Sequence, residues 1–165
     1  MRASLRSLEA FHLAFGKVRH LWFRLARPIT LGAQAIVLDD QARVFLVRHT
    51  YVPGWHFPGG GVEANETVSE ALLRELREEG HIEADSSPKL HGIFYNDGYS
   101  RRDHIVVMVL RHFHQTSPRG ADAEIAETGF FAVDSLPTGT SLATRARLHE
   151  VLTGTKPADR WLPLR

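Results

Sequence analysis

The chain has 165 residues, 43% hydrophobic and 24% charged, the balance of one globular domain. A formal net charge of +1 gives no global field toward DNA, and the absence of cysteine excludes disulfides, zinc–thiolate sites and cysteine nucleophiles. No apolar run approaches the ~20 residues of a membrane span. The opening Met1-Arg2-Ala3-Ser4-Leu5-Arg6 lacks a signal-peptide core, so a reducing cytoplasm is the expected location.

Charge is uneven along the chain. Residues 1–30 carry Arg2, Arg6, Lys17, Arg19, Arg24 and Arg27 against Glu9 alone. Over Ser4 to Ala26, Leu5, Leu8, Phe11, Phe15, Val18, Trp22 and Leu25 recur every three or four residues, which predicts a basic amphipathic helix stopped by Pro28. Residues 1–29 thus form a segment of their own. Its apolar stripe is expected to pack on its own domain or pair two copies as a homodimer; contact with an anionic membrane surface is the less favoured use.

Thr30 to Leu38 and Arg43 to Arg48 read as strands joined by a turn at Asp39-Asp40-Gln41. Trp55-His56-Phe57 is a short extended stretch running into Pro58 and a glycine turn. Thr67-Val68-Ser69-Glu70 forms a capping box for a helix to about Glu79, with Leu72, Leu73 and Leu76 on its buried side and Gly80 as its stop. Lys89 to Tyr95, His104 to Phe113 and Thr128 to Val133 read as further strands, with a last helix from Ser141 to Leu152. Alternation on a strand accounts for His112-Phe113-His114 without a metal. The elements predict an α/β (α+β) domain over 30–155, a mixed sheet between helices, followed by a tail at 156–165.

Chemistry concentrates on the glutamate helix. At about 100° per residue, Glu78 and Glu79 fall roughly 60° and 40° to either side of Glu75, so three like charges share one face. A divalent cation would neutralise them. Hard oxygen ligands suit Mg²⁺, with Mn²⁺ as a second option, and such ions bridge carboxylates to phosphates. The pattern points to hydrolytic attack on a phosphoanhydride.

Gly60, Glu66, Arg74-Glu75-Leu76 and Glu78-Glu79, at spacings of five, seven and one, resemble the signature of the Nudix hydrolases, and Ile82 supplies its last aliphatic position. Trp55-His56-Phe57-Pro58-Gly59-Gly60 and Glu63 look like the lead-in to that signature. The resemblance implies an α/β/α sandwich, and cleavage of a nucleoside diphosphate linked to a further group by a metal-activated water. It implies that Glu75, Glu78 and Glu79 are catalytic and ligate the cation, one of them acting as general base. Glu63 or the carbonyl near Gly60 would complete the shell, while Glu66 and Arg74 pair as a brace. A late-loop glutamate would be Glu124 rather than Glu127. Two residues depart from the pattern: Asn65, and His81, which stands where the signature has glycine at the helix exit.

The substrate group is chosen outside the signature. Tyr51, Trp55, Tyr95 and Tyr99 could stack a base, Arg101 and Arg102 could hold distal phosphate or sugar, and His56 and His104 are the histidines expected at the pocket. Phe94 is expected in the core. Nucleotide sugars, nucleoside triphosphates and dinucleoside polyphosphates all fit. The alternative is a Nudix-like module that binds a nucleotide without turnover.

Overall fold

A computed structural model describes residues 29–162. The expected N-terminal helix lies outside the described residues, as do 163–165. No helix among the described residues is long and apolar enough to cross a membrane.

In chain order the elements are β1 (Thr30–Val37), β2 (Arg43–His49), β3 (Gly59–Gly61), α1 (Val68–Gly80), β4 (Ile82–Ala84), β5 (Lys89–Tyr95), β6 (Asp103–Leu110), β7 (Phe113–Gln115), β8 (Ile125–Ala132) and α2 (Leu142–Thr153). The central sheet runs β3-β1-β6-β5 and is mixed: β1 is parallel to β6 and antiparallel to β3. Two short ladders flank it, β2 with β8 and β4 with β7.

Alternation along β1 divides the core. Ala33, Ala35 and Val37 pack with Leu72 and Leu76 of α1, whereas Ile36 packs with Phe57, Phe94, Ala143 and Leu148 on the α2 side. The sheet therefore lies between the two helices, giving the expected α/β/α sandwich. Each fully buried leucine in these layers contributes about 1.5–3 kcal/mol.

Three expectations need correction. The strand predicted over His104 to Phe113 is broken at Arg111 and His112, and its end, β7, leaves the central sheet to pair with β4. Gly80 is not the left-handed stop of α1 but its last helical residue; His81 adopts the left-handed conformation, at φ 52°. Gly80 is small for another reason, because a Cβ there would press to 2.9 Å on Phe45 and Ile82. The tail also begins later than expected. Tyr95 N–H donates to Asp159 and Trp161 N–H donates to Tyr95, both at 2.9 Å, and the Trp161 ring is buried in the α2-side core.

Candidate active site

The capping box forms as predicted, Thr67 Oγ1 accepting from Glu70 N–H and Glu70 accepting from Thr67 N–H. It starts α1 so that Leu72 and Leu76 face the sheet and the acidic residues face a cleft of about 500 Å³. Glu75, Glu78 and Glu79 line that cleft together with Arg74, Arg119, Asp122 and Glu124.

Arg74 organises the rim. Its Nη2 donates to Glu66 Oε1 at 2.9 Å and to the Gly61 carbonyl at 3.1 Å, which ties the loop to the helix. Its Nη1 reaches Glu75 Oε1 at 2.7 Å and Glu78 Oε2 at 3.4 Å. Hydrogen bonds from Arg74, then from Glu63 N–H, hold Glu66 below the usual carboxylate range.

Glu79 is the buried member, 5% exposed, and its Oε2 accepts the Gly59 N–H at 2.7 Å. Burial pushes its carboxyl up to about 8; the Gly59 N–H opposes this, and the charges of Glu75, Glu124 and Glu78 add to it. Burial also raises Glu75, against the pull of Arg74. Glu75 lies directly on β3, since a Cβ at Gly60 would collide with its carboxylate.

The facing wall is the segment between β7 and β8. Tyr51 Oη donates to Glu124 Oε1 at 3.2 Å, and Thr50 N–H donates to the Glu124 carbonyl at 2.9 Å. Glu127, the other late glutamate, is bound to Arg48 at 2.7 Å instead. Glu63 stands on the exposed loop before α1, its N–H bound to Glu66.

Among the described residues, no three carboxylate or imidazole groups already converge at the spacing of a metal shell. The donor chemistry nevertheless fits a hard divalent cation. Five carboxylates, Asp122 among them, share one cleft, and crowding plus burial leaves Glu79 holding a proton that a cation would replace.

His49 was not anticipated. It ends β2 with its Nε2 3.5 Å from Glu79 Oε1, and its Nδ1 is buried without a partner among the described residues. Burial lowers its pKa first, then the nearby His56 charge, while Glu124 raises it. The one sequence signal was a histidine at the end of the second strand, two residues before Tyr51.

A second concavity, of about 390 Å³, opens beside β3 among Thr30, Gly32, Gln34, Asn96, Tyr99, Asp103 and Ile105. Gln34 Oε1 is buried there with no partner among the described residues. Asp103 accepts from Thr30 Oγ1 at 2.6 Å and from Asn96 Nδ2 at 2.7 Å. Of the predicted substrate residues, Tyr99 lines this pocket and is 83% exposed. Arg101 and Arg102 sit exposed on the same loop. Tyr51 and His56 stand near the acidic cleft, around His49.

Two of the predicted substrate residues line neither of these concavities. Trp55 is buried, edge-on to Phe131 at 4.7 Å and under the Arg48 guanidinium at 5.7 Å, so its ring serves the core. His104 alternates with Asp103 and Ile105 on β6, which turns it to the opposite face of the sheet, beside Tyr95 at 5.4 Å. A further concavity of about 480 Å³, between α2 and residues 155–162, contains none of the α1 glutamates.

Comparison with known proteins agrees with this geometry. The family model of the NUDIX domain matches residues 28–152. A putative 8-oxo-dGTP diphosphatase of Bacillus subtilis (strain 168) is 36% identical over 76 residues, covering 46% of this chain and 50% of that protein. An RNA pyrophosphohydrolase of Halorhodospira halophila (strain DSM 244 / SL1) is 59% identical over 44 residues, covering 27% and 24%. The chain thus spans half the length or less of these two curated relatives. Among solved structures, the MutT NUDIX hydrolase from Burkholderia pseudomallei has a TM-score of 0.64 at 27% identity, covering 74% of this chain and 97% of that one. A UDP-X diphosphatase shares the fold at TM-score 0.59 and 21% identity, covering 95% and 82%. With well over half of its residues inside the family match, and the signature glutamates gathered on one cleft, the chain belongs to the Nudix family.

Proposed function

We propose that this protein hydrolyses a phosphoanhydride bond in a nucleoside diphosphate linked to a further group, with a divalent cation, Mg²⁺ or Mn²⁺, held on α1. The observation that supports this best is the placement of Glu75, Glu78, Glu79 and Glu124 on one cleft, with the side-chain-free strand β3 between them and a pocket large enough for a nucleoside.

Those four carboxylates, with the Gly60 carbonyl, would hold the cation. Bound there, it supplies positive charge to the phosphoryl oxygens and acidifies water. Arg74 offsets part of the acidic charge and keeps the Glu66 loop against the helix. One α1 carboxylate takes the proton of the attacking water. Gln34, Asn96 and Tyr99 surround the base, and Arg101 and Arg102 stand on the same loop to meet distal phosphate or sugar. Residues 30–162 form the hydrolase domain, which acts in the cytoplasm.

The relatives' names put nucleoside triphosphates and RNA ends at the head of a substrate panel. Phosphate or pyrophosphate release is measured with Mg²⁺ and Mn²⁺ on 8-oxo-dGTP, a 5′-triphosphorylated RNA oligonucleotide, a nucleotide sugar and a dinucleoside polyphosphate. Turnover of at least one, abolished by chelator, is expected. Tight metal-dependent binding with no turnover on any of them would replace the enzyme with a nucleotide-binding module.

A further inference from the structure

The exit of α1 is occupied by the segment that carries Glu124. A helix leaves its last carbonyls without internal partners, and here residues 115–119 take those of Glu78 and Gly80. Gln115 Nε2 donates to the Gly80 carbonyl at 2.8 Å, Thr116 N–H to the His81 carbonyl at 2.9 Å, and Arg119 Nε to the Glu78 carbonyl at 2.9 Å. The His81 ring joins the same contact, its Nδ1 2.8 Å from Ser117 Oγ.

From Arg119 the connection continues to Glu124. The Arg119 side chain is 15% exposed, and its Nη2 is paired with Asp122. Asp122 Oδ1 in turn accepts the Glu124 N–H at 2.9 Å and the Ile125 N–H at 2.7 Å. An unbroken path thus runs from the backbone of Glu78, through one guanidinium and one carboxylate, to the backbone of Glu124. A left-handed residue at 81 is ordinarily glycine, which adopts it without steric cost. His81 accepts that cost and spends its side chain on Ser117.

We propose that Arg119 and His81 are positioning residues, which dock the 116–124 segment on the end of the glutamate helix and so set Glu124 opposite Glu75, Glu78 and Glu79. This rests on the metal reading above. His81, the departure from the family pattern, is then a gain for the cleft: the glycine it replaces would have no side chain with which to hold the facing wall.

The test uses Mn²⁺ alone as probe, titrated by electron paramagnetic resonance into the full chain. Glu124→Gln should weaken Mn²⁺ roughly tenfold and Arg119→Ala by a similar factor, and the double variant should be no weaker than Glu124→Gln alone, since both act through one group. Arg119→Lys, which keeps the charge without the fork, should recover only part of the loss. His81→Gly separates positioning from folding: Tm should hold or rise as the backbone cost is relieved, while Mn²⁺ affinity falls severalfold. Wild-type Mn²⁺ affinity in both Arg119→Ala and His81→Gly, or additive losses in the double variant, would overturn the proposal. If the unmodified chain binds no Mn²⁺, the metal reading itself fails. Docking is then judged by amide exchange over 118–125, which Arg119→Ala should speed at least tenfold; unchanged exchange overturns it.

Discussion

Glu79 Oε1 stands 3.5 Å from His49 Nε2 at the floor of the acidic cleft, the two side chains 7% and 10% exposed. Neither burial nor the neighbouring carboxylates let Glu79 ionise easily, and its carboxyl is pushed from 4.5 up to about 8. Between those values the folded state keeps a proton that the unfolded chain gives up. Stability contributed by this group is therefore fully present below the lower value and is lost as pH rises through the upper one.

A cation that binds Glu79 must displace that proton. At pH 7, Mg²⁺ or Mn²⁺ binding should release about one proton per site, fading as the pH passes the raised value. Titration calorimetry in two buffers of different ionisation enthalpy measures this. Binding without proton release at pH 7 would remove Glu79 from the metal shell.

Glu78→Gln and Glu79→Gln each keep the shape of α1 while removing a carboxylate that a cation could bind. Either substitution should lower kcat by roughly 10²–10⁴-fold with Tm held or raised, because both residues face a crowded acidic cleft. Steady-state kinetics with thermal melts separate the two effects. Wild-type turnover in both variants would sink the mechanism.

Gly60→Ala probes the contact between β3 and the helix. The new methyl would land on the Glu75 carboxylate, which must swing away from the strand. We expect kcat to fall roughly ten- to a hundredfold, the usual cost of a misplaced catalytic group. Crystals of the variant should show the displaced carboxylate; an unmoved Glu75 with full activity would contradict the assignment.

Outside the cleft, Arg147 is the buried cation among the described residues, 2% exposed. It donates to Glu150 at 2.9 and 2.7 Å, to the Arg160 and Trp161 carbonyls at 2.8 and 3.0 Å, and lies 4.3 Å over the Phe94 ring. Arg147→Ala should cost about 3–5 kcal/mol, since it strands a buried carboxylate. Burial alone would raise Glu150, but hydrogen bonds from His91, Arg147 and the Ala158 N–H outweigh it and hold the carboxyl below 4.5. Its contribution is therefore present above that value and lost as pH falls through the lower, folded one. Urea melts from pH 7 downward should show this loss in the wild type and a flatter acid limb in Arg147→Ala.

The glutamate cluster was legible because helical spacing is local: residues three and four apart must share a face wherever the helix sits. The capping box at Thr67 was readable for the same reason. What escaped depends on contacts across the fold. His49 meets Glu79, thirty residues on, only after β2 and α1 pack together. The path from Arg119 to Asp122 and Glu124 joins loop residues that carry no periodicity. The burial of Trp55 escaped because an aromatic before a glycine turn is written the same way whether its ring faces a ligand or the core. β4 and β7 are three residues each, too short for alternation to declare itself.

Strand β3 has a consequence for which bond is cut. Three glycines form a partition with no side chains, with the nucleoside-sized pocket beside it and Glu75 pressed against Gly60. On the proposed function, a substrate lying across such a thin wall would be measured from its base outward, because the distance from pocket to glutamates belongs to the backbone. The position of the scissile bond would then be set by a ruler inside the fold, while whatever group lies beyond the cleft could vary without moving the cut.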